Sequence, residues 1–191
     1  DEEAFALPNK ILKAGIDPTS IEFMDNEALR MTCKFLDMKM PHVDEGCDYV
    51  IVTVESFSED DSDRKMEQLC DLAEANGSID EFEADKRIWK LRKQFAEAAR
   101  DVDKMFQTED FVVPLDRIPD ITKQIPELRE NTTSTASRSP ISVTATSRPA
   151  FERQGLSPEE WFEKIKAFHR DLFPRVLCPG RQDVRRTRHR L

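Results

Sequence analysis

Glycine is scarce and scattered in this 191-residue sequence, which contains only five glycine residues. A dinucleotide fingerprint and a phosphate-binding loop both need closely spaced glycines, because the backbone must come close to the phosphates. Neither motif occurs in the sequence. Long apolar runs are also missing, and none approaches the roughly 20 residues that a membrane-spanning helix needs.

Cysteine and histidine are too few and too dispersed to suggest a metal site. The four cysteines are widely spaced and form no C-x-x-C pair: Cys33, Cys47, Cys70 and Cys178. We expect free thiols in a reducing cytoplasm. The three histidines are isolated from one another: His42, His169 and His189. We interpret them as surface or helix-face residues rather than as ligands.

The N-terminus, "DEEAFALPNK", lacks an initiator Met and the basic and apolar regions of a signal peptide. We therefore expect a cytoplasmic protein, or one peripheral to the inner membrane, whose sequence begins inside a longer chain. The net charge of −9 argues against general nucleic-acid binding. The last stretch, "RVLCPGRQDVRRTRHRL", departs from this balance with six Arg against one Asp, a pattern also typical of basic tails.

Apolar periodicity predicts alternating strands and helices over most of the chain. "SIEFM" alternates as a short strand, and "YVIVTV" is a β-branched run typical of a central strand. The predicted elements are strand 20–24, a helix 26–38 capped by Asp25, strand 49–54, a helix ending at Gly77, edge strand 79–82, helix 84–105, strand 110–114, a helical segment 115–128 and a final helix capped by Ser157. This order predicts an α+β fold with a partly antiparallel sheet covered by helices.

The sequence contains four informative strings in this order: "ILKAGIDPTSIEFMD", "DKRIWKLRKQF", "EDFVVPLDRIP" and "LSPEEWFEKIKAFHRDLF". Together they resemble one protein family, the FAD-linked oxidases, which include the bacterial glycolate oxidase FAD subunit and the FAD-dependent D-lactate and D-2-hydroxyglutarate dehydrogenases. "ILKAGIDPTSIEFMD" resembles the start of their C-terminal, substrate-side domain, and "DKRIWKLRKQF" resembles their W-x-x-R helix. "EDFVVPLDRIP" resembles their ED-x-x-VP strand and turn, and "LSPEEWFEKIKAFHRDLF" their last helix before a G-G-x-x-S-G-E-H-G-I-G motif. The resemblance covers about residues 8–130 and 155–177.

The resemblance implies an incomplete α+β cap domain over an FAD that a separate N-terminal domain holds. In the family, a small 2-hydroxy acid loses a hydride from its α-carbon to the flavin. An H-x-G-D-G-N motif and the later E-H supply histidines that, in part of the family, bind a divalent metal beside the substrate. This sequence has neither motif.

Two stretches of anomalous composition lie where the resemblance expects these two motifs. "NTTSTASRSPISVTATSRPA" (131–150) is mostly Ser, Thr, Ala and Pro, and the tail from 178 to 191 is rich in Arg. In a GC-rich gene, a slip of reading frame produces both compositions. Back-translation of 139–146 in one alternative frame permits x-x-His-x-Gly-Asp-Gly-Asn. Back-translation of "GRQDVRRTRHRL" in the other frame permits Gly-Gly-(Lys or Arg)-Met-Ser-Gly-Glu-His-Gly-Ile-Gly. We therefore prefer out-of-frame translation to the rival hypothesis of a disordered linker and a basic tail.

Arg92 is the substrate-binding residue that the resemblance implies. It lies three residues after Trp89 and matches the family arginine that fixes the substrate carboxylate, a role that suits a bidentate guanidinium. The alternative is a surface or salt-bridged arginine, one of several cations in "DKRIWKLRK". The hydroxyglutarate branch also uses a Thr and a Lys, whose positions here correspond to Ala96 and roughly Thr108 and so argue against that branch. We name no catalytic, cofactor-binding or metal-binding residue.

The sequence therefore predicts a partial FAD-linked cap domain (1–130), a disordered or out-of-frame segment (131–155), a helix of the same domain (156–177) and a basic, out-of-frame tail (178–191). Its parent would oxidise D-lactate or glycolate with FAD and pass electrons to an iron–sulfur or other electron-accepting subunit. A divalent metal would belong to the intact parent, and this fragment would be inactive without the FAD-binding domain. The alternative is a non-catalytic α+β module for protein contacts.

Overall fold

The computed structural model describes residues 2–102, 106–108, 111–114, 117–118, 120–122, 124, 141–142, 146–147, 150–152 and 156–176. The longer helices are α1 (Glu2–Lys13), α2 (Asn26–Phe35), α3 (Glu59–Glu74), α4 (Lys86–Val102) and α5 (Pro158–Val176). Residues 118, 120–122 and 124, within the predicted helical segment 115–128, are also helical. Seven strands are β1 (Pro18–Met24), β2 (Tyr49–Val54), β3 (Phe106–Thr108), β4 (Phe111–Val112), β5 (Ile141–Ser142), β6 (Thr146–Ser147) and β7 (Ala150–Glu152). None of these described helices is long and apolar enough to cross a membrane.

The strands form two sheets in which every described pair is antiparallel. The larger sheet has the order β2-β1-β5-β6-β4, and the smaller one pairs β3 with β7. The predicted α+β class with helix-covered, antiparallel strands is therefore confirmed. Strand β1 lies inside the larger sheet, between the edge strand β2 and the inner strand β5.

Strands β1 and β2 separate two layers of helices. Ile21 and Phe23 alternate with Glu22 and Met24, so successive side chains point to opposite faces of the sheet. We call the face of Ile21 and Phe23 the apolar face and the face of Glu22 and Met24 the charged face. In the antiparallel register Glu22 lies opposite Ile51, which places that residue on the charged face too.

Different helices cover the two faces. On the apolar face, Phe5 of α1 packs against Phe23 with ring centroids 4.4 Å apart, and Phe168 of α5 belongs to the same cluster. Helices α1 and α3 also pack against Ile21 through Leu7, Ile11 and Leu69. On the charged face, α2 and α4 pack against the sheet. The buried cluster there contains residues of both helices and both strands: Met24, Ala28, Leu29, Cys33, Tyr49, Ile51, Ile88, Leu91 and Phe95.

One predicted element is absent from the described part of the structure, and one helix was not predicted. Residues 79–82 form a loop rather than an edge strand, because acidic residues interrupt the apolar positions there and Phe82 instead packs edge-on against Tyr49. Helix α1 was not predicted, since Pro8 lies inside it and proline normally breaks a helix. Burial of Phe5, Leu7 and Ile11 against the sheet compensates for that local cost.

Three short strands, β5 to β7, come from the segment 131–155, for which the sequence predicts disorder or out-of-frame translation. The other residues of that segment, and the tail 178–191, lie outside the described residues. The proposed boundaries of these segments therefore stay predictions. Cys33, Cys47 and Cys70 are free thiols, as expected, whereas Cys178 and His189 lie outside the described residues.

Candidate functional site: a half-buried arginine on the charged face

Helix α4 carries Arg92 at the flank of its buried stripe. Ile88, Leu91 and Phe95 are each less than 5% exposed and hold the helix against the sheet. Arg92 follows Leu91 directly, so its side chain leaves the helix beside the core rather than on the solvent side. Its exposed fraction is 19%.

Glu22 of β1 meets Arg92 across the interface between strand and helix. One carboxylate oxygen, Oε2, accepts a hydrogen bond of 2.9 Å from Nε of Arg92, and the exposed fraction of the Glu22 side chain is 12%. A carboxylate in such a position needs a partner, because an unpaired buried charge is costly. The pair therefore explains how Glu22 is tolerated next to Met24, which is fully buried.

Among the described residues, the contact of the Arg92 guanidinium is through Nε. Within the part of the chain that the structure describes, Glu22 is the sole partner of Arg92, and the contact uses Nε. The two terminal nitrogens, Nη1 and Nη2, thus retain their four N–H donors for another acceptor. The arrangement can receive a planar anion such as a carboxylate.

The other cations of "DKRIWKLRK" are placed differently. Lys86, Arg87, Lys90 and Lys93 are exposed, and Arg87 pairs with Asp85 at 2.7 Å. Solvent surrounds these side chains, so they cannot fix the orientation of a small anion as a half-buried group can. Arg92 is the basic residue of this string that is both partly buried and held by a hydrogen bond at Nε of its guanidinium.

Trp89 and Ala96 flank Arg92 along α4. Trp89 is partly buried and packs against the core of the charged face, in line with its interpretation as a core residue. Ala96 is one helical turn after Arg92 and is half-buried. Thr108 lies in β3, and the structure describes only its backbone.

Tyr49 shares the charged face with Glu22, and its phenol is protonated at neutral pH. Its hydroxyl donates a hydrogen bond to the carbonyl oxygen of Pro41. Burial raises the pKa of Tyr49 to about 12, so the phenol keeps its proton at neutral pH.

The described histidines do not converge on a metal ion. His42 contacts Glu45 through Nδ1 at 2.9 Å and Asp80 through Nε2 at 3.1 Å. Because the two contacts use opposite sides of the ring, the three groups cannot share one ion. His169 lies between the rings of Phe168 and Phe173. Among the described residues, no group of three His, Cys, Asp or Glu side chains could hold a metal.

The described glycines do not form a cradle for a flavin. Gly15, Gly46 and Gly77 stand in separate turns with positive φ. A Cβ atom added to any of them would meet nothing within 4 Å, so none of them marks a close approach of the backbone to another group. These three glycines therefore do not supply the close backbone approach that a dinucleotide fingerprint provides.

Comparison with known families identifies the family of this domain. The family described as "FAD linked oxidases, C-terminal domain" matches residues 2–139. The chain belongs to this family, and it is a C-terminal domain of the FAD-dependent oxidoreductases. The family implies a partner domain that binds FAD, and a substrate. No curated protein matches the chain.

The sequence named Arg92 as a candidate, and that role stays a prediction, whereas Glu22, the partner of Arg92 in the structure, was not named. A signal for Glu22 was present in "SIEFM", where a charged residue stands between two apolar ones and is followed by another apolar residue, Met24. A strand with apolar residues on both faces is covered on both sides, so its one carboxylate needs a nearby cation.

Proposed function

We propose that this domain provides the substrate-binding side of an FAD-dependent dehydrogenase that oxidises a small 2-hydroxy acid of the D-lactate or glycolate type. Arg92 receives the carboxylate of that acid. The observation that carries the proposal is the placement of Arg92, which is half-buried, anchored through Nε and unengaged at its terminal nitrogens within the described residues.

An arginine in this setting suits a small carboxylate for two reasons. The planar guanidinium can donate two parallel hydrogen bonds, which fixes the plane of the carboxylate as well as its position. Partial burial also strengthens the attraction, because the effective dielectric constant is lower than in water. Orientation matters here, since the substrate must present its α-carbon to the oxidant.

The proposal assigns binding, but not turnover, to this chain alone. In the family a separate domain binds FAD, so we expect no oxidation of 2-hydroxy acids by the isolated 191-residue chain. The FAD-binding domain is the required partner, and an iron–sulfur or other electron-accepting subunit is a further proposed partner.

The hypothesis of out-of-frame translation extends this proposal. In its support, the family match ends at residue 139, inside the Ser/Thr-rich stretch. Strand β5 aligns Ile141 with Phe23 and Ser142 with Glu22, and the alternative frame permits a histidine at position 141. A restored motif would thus lie beside the strand position that carries Glu22. The divalent metal of the intact parent stays a prediction with it.

Reading the nucleotide sequence of codons 128–191 and of the region upstream of Asp1 tests this hypothesis. We expect single-base slips near both anomalous stretches and a coding region for an FAD-binding domain ahead of Asp1. Clean frames on both sides, without a flavoprotein region upstream, would refute it.

The activity is tested on the gene product that includes the upstream coding region, with its frames restored. On our proposal it is yellow and reduces a dye when D-lactate or glycolate is added. A colourless product without dye reduction would instead favour the non-catalytic protein-interaction module.

The role of Arg92 is tested on the 191-residue chain with R92K and the matched control R87K. Both variants change an arginine of α4 to lysine, but Arg87 is exposed and paired with Asp85. We expect R92K to weaken binding of glycolate about tenfold or more, because lysine cannot form the bidentate fork. R87K should bind like the wild type in the same NMR titration.

A further inference from the structure

We propose that Glu22 is a positioning residue for Arg92 and that it sets the direction from which the substrate carboxylate is received. This inference rests on the proposed function, since it concerns the same arginine. A guanidinium can bind a carboxylate side-on, through Nε and one terminal nitrogen, or end-on, through both terminal nitrogens. Glu22 already occupies Nε at 2.9 Å, so the end-on approach through Nη1 and Nη2 is the one left for the ligand.

Both ends of the pair stand on rigid elements. Glu22 lies in the middle of the larger sheet, and the strands on both sides hold its backbone through Ile51 and Ser142. Arg92 lies between Leu91, which is fully buried, and the core residue Phe95. A bond between two such fixed points holds the guanidinium plane in one orientation before any ligand arrives. Fixing a binding group in advance reduces the entropy lost on binding.

A purely structural role of the pair makes a different prediction. If Glu22 only attached β1 to α4, its removal would lower stability and leave the affinity for small carboxylates unchanged. If Glu22 instead mainly offset the charge of Arg92, any neutral replacement would strengthen that affinity. Positioning predicts a third pattern, in which the result depends on whether the replacement can still accept a hydrogen bond from Nε.

Two substitutions separate these roles. In E22Q the amide oxygen can still accept the Nε–H hydrogen bond, whereas E22A removes the acceptor. Glu97 provides the matched control, because it also pairs with an arginine on α4, Arg100, at an exposed position. E97A therefore removes a glutamate from an ion pair of the same helix without touching the charged face.

The affinity is measured by NMR titration of the 191-residue chain with glycolate and with D-lactate. We expect E22A to weaken binding about fivefold to tenfold, as suits the loss of a charge-assisted hydrogen bond that orients the arginine. E22Q should stay within about twofold of the wild type, because its amide oxygen still accepts the hydrogen bond from Nε, and E97A should be unchanged. Equal affinity in E22A and wild type, or tighter binding in both E22A and E22Q, would overturn the inference.

A second readout needs no ligand. The exchange rate of the Nε–H proton of Arg92, assigned through its loss in R92K, reports whether that proton is held. We expect slow exchange in the wild type and in E22Q, and fast exchange in E22A. Fast exchange already in the wild type would overturn the positioning role.

R92K separates failure of this inference from failure of the proposed function. If R92K loses glycolate binding while E22A keeps it, the inference about Glu22 fails and the role of Arg92 stands. If R92K binds like the wild type, the substrate role of Arg92 fails, and the inference that rests on it fails as well. Slow Nε–H exchange would then identify a structural ion pair.

Discussion

The two faces of strands β1 and β2 are built from alternate residues of the same short segments, yet they differ in chemistry. The apolar face offers Ile21 and Phe23 to helices α1, α3 and α5. The charged face offers Met24 and Ile51 to α2 and α4, together with the one ion pair of Glu22 and Arg92. The apolar face shows that the same sheet can pack against helices through apolar residues. A buried ion pair is, in general, weak evidence for stability. Packing alone does not require the pair, and the proposed binding of a substrate carboxylate by Arg92 would give it a function.

The largest effect is expected from a cavity on the apolar face. Phe168 is 1% exposed, and its replacement by alanine should lower the free energy of unfolding by about 3–5 kcal/mol. Phe162 lies on the same helix but is 52% exposed, so F162A should change it by no more than about 0.5 kcal/mol. Chemical denaturation followed by circular dichroism measures both variants. Similar losses in the two would mean that α5 does not pack as described.

The next largest effect is expected from splitting the ion pair on the charged face. E22A leaves Arg92 without its described partner and should cost about 1–3 kcal/mol of unfolding free energy. Replacing both residues by leucine should recover most of this loss, since an apolar pair can substitute for a partly buried ion pair. A double variant as unstable as E22A would show that the charged face cannot be converted into a second apolar face.

The N-terminal caps of α2 and α3 allow a smaller test, because these helices cover opposite faces. Asp25 is buried and accepts a 2.8 Å bond from the amide of Ala28, so D25A should cost about 1–2 kcal/mol. The hydroxyl of Ser58 accepts a longer bond, 3.2 Å, from the amide of Asp61, so S58A should cost only about 0.5–1 kcal/mol. D25N retains a good cap and serves as the control, and the reverse order of the two losses would contradict the prediction.

The smallest effect is expected at His42, in the loop after α2. Hydrogen bonds to Glu45 and then Asp80 raise the pKa of His42 above its ordinary value of 6.5. The charged ring therefore stabilises the fold below the unfolded-state pKa, and this contribution disappears as the pH rises through the folded-state pKa. H42N removes the charge and tolerates the positive φ of this position, 53°. The difference in melting temperature between wild type and H42N should shrink from pH 5.5 to pH 8, and a growing difference would contradict the assignment.

Apolar periodicity correctly predicted the helices and strands whose formation follows from a single local residue pattern. "YVIVTV" gave β2 with its observed bounds, Tyr49–Val54, and the stripe of Ile88, Leu91 and Phe95 gave α4. The sequence pattern did not predict helix α1, because Pro8 disfavours a helix there. The contacts that stabilise α1 come from residues distant in sequence. The same distinction between local pattern and packing applies to the candidate site. A helix motif pointed to Arg92, whereas Glu22 becomes significant only when β1 and α4 are packed together.

The three hydrophobic clusters also become complete at different points along the chain, which has a consequence for biosynthesis. The clusters around Met24 and around Ile11 use residues no later than Phe95, whereas the cluster around Phe168 also needs α5. All residues of the clusters around Met24 and Ile11 are therefore synthesised before the ribosome reaches the Ser/Thr-rich stretch. A change confined to the later codons would leave these two clusters intact in sequence and would act on the cluster around Phe168, whose helix α5 follows that stretch.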